Sequence, residues 1–375
     1  MRHSRPRERG FDSLCRLLAG GDTLGPDFDW SELGQAARTH GMLLPLRAAL
    51  GDRPECPPPV EFGKELDEAF WAWTAKRRAY LMLAGRVASI ADGHGISLIL
   101  LKGPYLAERL YRPAEARPFR DLDVLVEDAA FAPLLAHLDE AGFVRTAGPY
   151  QGIGPTGLRR WELPVTLSPR EAPGLHIDLH LNLTSRLEPY RLPPQSFWAG
   201  AAPWKEGFLR LSDADALLFL FIHSLKHGYC TLLPFYDLHL AAKDPSLAVT
   251  YRDVLERADR HGFGRLLRVA SELGRRLFGT SWEAGVPASR SIRSFAAGFE
   301  SRVRSGRPWL SERLHLLLSS LLLVSPGRRL AHYWRLSLLR PPSAIPDRPY
   351  LVGPWTNPWA GAVRLVRGLP GRRRG

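Results

Sequence analysis

The hexapeptide Asp121-Leu122-Asp123-Val124-Leu125-Val126 constrains this chain more than any other stretch. A short apolar run of this composition suits a buried strand. In a strand, residues two apart point to the same face. Asp121 and Asp123 therefore stand side by side, where like charges repel unless something positive lies between them. A divalent cation is the natural occupant, and carboxylate oxygens suit Mg²⁺ or Mn²⁺. A turn or a solvated strand end would carry the same pair, so other segments must decide.

The segment His176-Ile177-Asp178-Leu179-His180, inside a strand predicted over 175–181, alternates cleanly. His176, Asp178 and His180 share one face, while Ile177 and Leu179 face a core. A third carboxylate on a neighbouring strand is what a two-metal centre needs. One ion activates an attacking hydroxyl and the other holds departing phosphates. Asp178 then serves as the third ligand and favours deprotonation of that hydroxyl. The plain alternative is a half-exposed edge strand with polar outer residues.

Upstream, Ile96 to Leu101 is a nearly continuous apolar run, read as another buried strand. Lys102-Gly103 ends it, and Pro104 stands where a helix begins. A helix N-terminus offers free N–H groups and a positive dipole end, so phosphate binds there readily. Glycine allows close backbone approach, and Lys102 adds a point charge. An ordinary strand-to-helix turn would hold the same residues. The order of parts distinguishes the two: strand, Lys-Gly, helix, a loop carrying Arg117 and Arg120, then the Asp-x-Asp strand. Arg120 reads equally as a phosphate contact or a surface charge.

Around this centre the periodicity is helical. Helices are predicted between Phe11 and Leu50 and over 61–93, with breaks at 20–29 and 51–59. After the second strand, 129–141 is helical and stops at Gly142. Helices return over 214–227, 232–242, 251–261, 266–278, 291–303 and 311–333, and no internal repeat is present. Four regions result: a helical region over 1–93, a small α/β core over 94–210, a helical region over 211–340, and an irregular basic tail over 341–375.

The order of parts resembles the DNA polymerase β superfamily of nucleotidyltransferases, and more closely the bacterial group described as uncharacterised nucleotidyltransferases. In that group a strand ending in Leu-Lys-Gly precedes a helix and then Arg-Pro-x-x-Asp-x-Asp-x-Leu-Val. Those positions here are Leu101, Lys102, Gly103, Arg117, Pro118, Asp121, Asp123, Leu125 and Val126. A later Asp-Leu-His strand is matched by Asp178, Leu179 and His180. A helical His-x-x-Lys-His-Gly segment is matched by His223, Lys226, His227 and Gly228, with Asp237 shortly after. The resemblance spans roughly residues 10–340, and its specific motifs lie between 100 and 240.

It implies an α+β fold, a small mixed-sheet nucleotidyltransferase core flanked by N-terminal and C-terminal helical regions. It also implies Mg²⁺- or Mn²⁺-dependent transfer of a nucleoside monophosphate from a nucleoside triphosphate, ATP foremost, with release of pyrophosphate. The acceptor is a small molecule, peptide, protein or RNA. Asp121, Asp123 and Asp178 become the catalytic metal ligands. Lys102, Gly103, Arg117, Arg120, His180, His223, Lys226 and His227 become the nucleotide- and phosphate-binding set. One departure matters: the wider superfamily carries Gly-Ser or Gly-Gly in its phosphate loop, and Lys102-Gly103 stands there instead. Lys102 and backbone N–H groups are left to contact the triphosphate.

His223 and His227 are four apart and share a helical face. No glutamate follows His223 as in a metalloprotease. A His and Lys face closing over the nucleotide or acceptor fits the resemblance, and packing between helices is the alternative. Asp237 is placed to orient Lys226 or a histidine. Two other functions fit the residues: a catalytically silent nucleotide-binding regulatory module, and a metal-dependent phosphohydrolase using His176, Asp178 and His180. The intact carboxylate trio argues against the first.

The formal charge of +13 favours anionic partners without choosing among them. Five of the charges sit in the tail, at Arg364, Arg367, Arg372, Arg373 and Arg374. Cys15, Cys56 and Cys230 are scattered, as expected of a reduced cytoplasmic protein without disulfides. The basic N-terminus lacks a signal-type apolar run. The most apolar stretch, Leu314 to Val324, would span only about 16 Å as a helix, so no membrane span is expected.

Overall fold

The computed structural model describes residues 6–305 apart from 22–27, 52, 54–55, 147–153, 187–191, 206, 227–230, 249 and 283–287. Four helices lead the chain: α1 (Pro6–Ala19), α2 (Trp30–His40), α3 (Leu43–Gly51) and α4 (Val60–Asp92). Local chemistry sets their ends. Asp29 caps α2 by accepting from the Ser31 and Glu32 amides at 2.7 and 3.4 Å. Gly41 stops it in the left-handed region at φ 65°.

The core follows as β1 (Leu98–Leu100), α5 (Pro104–Leu110), β2 (Asp121–Val126), α6 (Asp128–Glu140), β3 (Phe143–Arg145), α7 (Pro155–Trp161), β4 (Val165–Pro169) and β5 (His176–His180). It closes with α8 (Gln195–Ala199), β6 (Ala202–Pro203) and β7 (Leu209–Arg210). The C-terminal helices are α9 (Asp213–Lys226), α10 (Leu233–Lys243), α11 (Pro245–Ala248), α12 (Tyr251–Arg260), α13 (Gly264–Phe278) and α14 (Arg290–Ser305).

Among the described residues the strands form one mixed sheet in the order β3-β4-β5-β2-β1-β7-β6. β2 lies in its middle, antiparallel to β1 and parallel to β5. All of β1, and β2 from Leu122 onward, are buried, so both faces of the sheet are covered there. This is the expected α+β architecture with a mixed sheet between helical regions. The sheet is wider than the three strands predicted. β3, β6 and β7 have only two or three residues, too few to display a period of two. β4 starts four residues after α7 and ends on a proline, which hides it among turn signals.

Among the described residues no helix is long and apolar enough to cross a membrane. The helix predicted over 311–333, the run from Leu314 to Val324, Cys230 and the basic tail all lie outside the described residues.

Two buried histidines make the packing pH-sensitive. His40 ends α2 against the Phe11 ring, with centroids 5.0 Å apart, and burial lowers its pKa to about 4. His239 on α10 bonds Thr280 Oγ1 at 3.0 Å. Burial, then the Lys243 charge, lowers its pKa to about 4 as well. In the unfolded chain a histidine titrates near 6.5. Stability is thus complete above about pH 6.5 and falls as pH drops toward 4, because only the unfolded state takes up the proton. Each group is expected to cost about 1–2 kcal/mol by pH 5. Urea unfolding at pH 7 and pH 5 checks this: His40→Gln should lose less stability across that interval than the parent chain, and equal losses would refute the assignment.

Candidate active site

The three strands β1, β2 and β5 bring the polar residues together. Parallel pairing of β2 with β5 sets Asp121 opposite His176, Asp123 opposite Asp178, and Leu125 opposite His180. Paired residues on adjacent strands point to the same face. The carboxylates of Asp123 and Asp178 and the ring of His180 therefore converge. One donor atom from each lies within 4.8 Å of the others. His180 Nε2 sits 3.1 Å from Asp123 Oδ1. Thr166 on β4, the register partner of Asp178, donates its hydroxyl to Asp178 Oδ1 at 2.6 Å. Thr166 carries no signal in the sequence and becomes visible only once β4 is paired with β5.

Lys102 enters from β1. The Leu101 amide bonds the Asp123 carbonyl at 2.9 Å, which fixes the next residue beside β2. The Lys102 ammonium lies 3.1 Å from Asp121 Oδ1 and 2.7 Å from Asp123 Oδ2. The positive charge that two adjacent carboxylates require is thus supplied by the protein itself. Burial opposes the charged amine, but Asp123 and Asp121 outweigh it and raise the Lys102 pKa. Burial also pushes Asp123 up, yet Lys102 and the His180 hydrogen bond hold it well below the usual carboxylate range. Asp121 is pushed the other way, to about 6, by burial and by the Asp123 charge, against the pull of Lys102. Of the two carboxylates, Asp123 is the one held ionised.

Gly103 makes the turn from Lys102 into α5. Its φ of 67° and ψ of −114° belong to glycine. An added Cβ would make only ordinary contact with the Asp121 carbonyl at 3.4 Å and the Phe119 ring at 3.5 Å, so the strain would lie in the backbone. Gly103→Ala is therefore expected to cost roughly 1–3 kcal/mol and to shift Lys102 off its carboxylates. A thermal melt that stays within about 0.5 kcal/mol of the parent would show that the turn tolerates a side chain.

The structure does not bring every expected residue to this centre. Arg117, expected at a phosphate, is committed elsewhere: its Nε and Nη2 donate to the Asp237 carboxylate at 2.9 and 2.8 Å. Asp237, expected to orient Lys226 or a histidine, instead takes this pair and the Tyr111 hydroxyl at 2.6 Å. The two residues singled out separately are each other's partner. Arg120 is exposed at the head of β2, and its carbonyl accepts the Tyr80 hydroxyl of α4. His176 bonds Ser168 at 2.8 Å and is outside the converging trio, which weakens a phosphohydrolase built on His176, Asp178 and His180. His223 is half-buried on α9, tilted against Phe219 at 5.9 Å. The Lys226 side chain, His227 and Gly228 lie outside the described residues.

A cleft of about 760 Å³ opens where β2 and β5 end, lined by Asp128, Arg159, Arg160, Glu162, Leu181 and Arg186 among others. Its volume is in the small-molecule range. Arg159 is tied to Asp128 by two bonds of 2.6 Å, and Arg186 to Glu162 at 3.0 Å. Leu181 is three residues beyond Asp178, or roughly 10 Å along the strand.

A family profile described as uncharacterised nucleotidyltransferase matches residues 26–279. No curated protein and no solved structure matches the chain. The matched span contains all five converging residues, Lys102, Asp121, Asp123, Asp178 and His180.

Proposed function

The chain belongs to the uncharacterised nucleotidyltransferase family, and from that premise we propose that it moves a nucleoside monophosphate from a nucleoside triphosphate, ATP foremost, to a hydroxyl of a second substrate. The observation that carries this reading is the meeting of Lys102, Asp121, Asp123, Asp178 and His180 at three adjacent strands.

The donors suit a divalent cation, because two carboxylates and a ring nitrogen lie close enough for one ion to span them. Asp123 and Asp178, with His180 in reach, would hold Mg²⁺ or Mn²⁺, which when bound neutralises charge developing on the phosphates. The acceptor oxygen attacks the α-phosphorus, the bond to the bridging α–β oxygen breaks, and pyrophosphate leaves with that electron pair. The hydroxyl proton passes to Asp178, whose Oδ1 is held by Thr166 and whose other oxygen is the base. Lys102 and the N–H groups following Gly103 supply positive potential to the departing phosphates. Arg120 and the α9 residues His223 and Lys226, with His227 beyond, are the proposed outer contacts of the nucleotide. Arg117 acts indirectly, by fixing the loop that leads into β2. The arginine-rich cleft seats the acceptor.

The test is incubation of the full chain with each α-labelled nucleoside triphosphate and Mg²⁺ in a lysate. Label entering one fraction of protein, RNA or small molecules, with pyrophosphate released, is the expected result. Release of inorganic phosphate without labelled product would instead identify a phosphohydrolase, and binding without turnover a regulatory module.

A further inference from the structure

Asp123 presents its two oxygens to two different cation positions. Oδ2 meets Lys102 at 2.7 Å, and the same ammonium reaches Asp121 Oδ1 at 3.1 Å. Oδ1 faces His180 Nε2 at 3.1 Å, on the side where Asp178 also contributes an oxygen. A carboxylate shared between two positive centres is the arrangement of a two-metal site. Here one of those centres is a side chain.

We propose that this site takes a single divalent cation, held by Asp123, Asp178 and a ring nitrogen of His180, and that the Lys102 ammonium permanently fills the second cation position between Asp121 and Asp123. The expected ligand set of three carboxylates is replaced by two carboxylates and an imidazole. Asp121 becomes the partner of Lys102 instead of a metal ligand.

Three observations support the substitution. Lys102 is tethered, because the residue before it bonds the backbone of Asp123 and the residue after it turns into α5. Its ammonium is buried, with 12 % of the side chain exposed, so leaving would strand Asp121 and Asp123 without a counter-charge. The charges also balance. Asp121, Asp123 and Asp178 carry three negative charges, Lys102 one positive and one divalent ion two, which sums to zero. With no nucleotide bound, as in a titration with metal alone, a second ion would leave two uncompensated positive charges beside a lysine. The imidazole moreover favours Mn²⁺ over Mg²⁺, since nitrogen donors suit transition metals better.

The inference rests on the proposed metal-dependent transfer, but its test needs no turnover, so the two can fail separately. The full chain is titrated with Mn²⁺ alone, and bound ion is counted from the loss of the free-ion electron paramagnetic resonance signal. One ion per chain is expected, with ¹⁴N coupling in pulsed spectra that disappears in His180→Gln. Lys102→Met should admit a second ion roughly 3.5–4 Å from the first, visible as a spin-coupled pair, while Lys102→Arg stays at one. Should Lys102→Met not fold, Lys102→Gln takes its place. Two coupled ions in the parent chain, no bound ion, or nitrogen coupling that is absent or survives His180→Gln would each overturn the proposal. So would a folded, lysine-free variant that still binds only one ion. A chain that binds one nitrogen-coordinated Mn²⁺ yet transfers no label would sink the proposed activity and leave this inference standing.

Discussion

Asp237→Ala is expected to destabilise the fold by about 3–5 kcal/mol, the cost of breaking a buried ion pair by removing one partner. The Arg117 and Asp237 side chains are 4 % and 1 % exposed. Without the carboxylate, the guanidinium and the Tyr111 hydroxyl lose their shared acceptor inside the protein. The pair joins the loop before β2 to α10, 120 residues further along the chain. Its loss should therefore loosen the attachment of the C-terminal helices to the sheet. Urea unfolding gives the stability change directly. The variant Tyr111→Phe, Arg117→Met, Asp237→Leu should recover part of the loss, because no charge or hydroxyl is then left unpaired. A single-variant loss below about 1 kcal/mol, the size of an exposed pair, would contradict the burial described.

Asp123→Asn should lower kcat by at least about 1000-fold, roughly 4 kcal/mol of transition-state stabilisation. It should abolish Mn²⁺ binding too. Asp123 pairs with both Lys102 and His180, so its carboxylate would serve both of the proposed cation positions. Asp121→Asn removes only the lysine's second partner. It should slow transfer while leaving Mn²⁺ affinity within about threefold, under 1 kcal/mol. Kinetics beside metal titration separate the two variants. Equal loss of metal by both would make Asp121 a ligand after all, and full activity of Asp123→Asn would end the assignment of this centre.

Legibility varied with the distance over which each feature is determined. The shared face of Asp121 and Asp123, and that of His176, Asp178 and His180, follow from strand alternation within five residues. Both were readable, and the parallel register then places Asp123 opposite Asp178. The helical regions were readable for the same reason, since their apolar periods run over several turns. The position of Lys102 was readable as a turn, but its partners were not. They depend on β1 lying antiparallel to β2 and on Leu101 bonding Asp123. Thr166 was missed because its only role comes from a strand with no sequence signature. Arg117 and Asp237 were both noticed but not paired with each other, because nothing local says which of several charges a buried arginine will meet.

The chain by itself determined which residues could be neighbours within an element: two aspartates on one strand face, a third with a histidine on another, and a lysine at the end of a third apolar run. Backbone geometry forces those relations, and no tertiary contact is needed to establish them. Only the folded structure decided which charges pair. Once the sheet closes and water leaves, every buried charge must find a counter-charge within a few ångströms. That requirement put Arg117 on Asp237. It also put Lys102 between Asp121 and Asp123, supplying the positive charge that two adjacent carboxylates require.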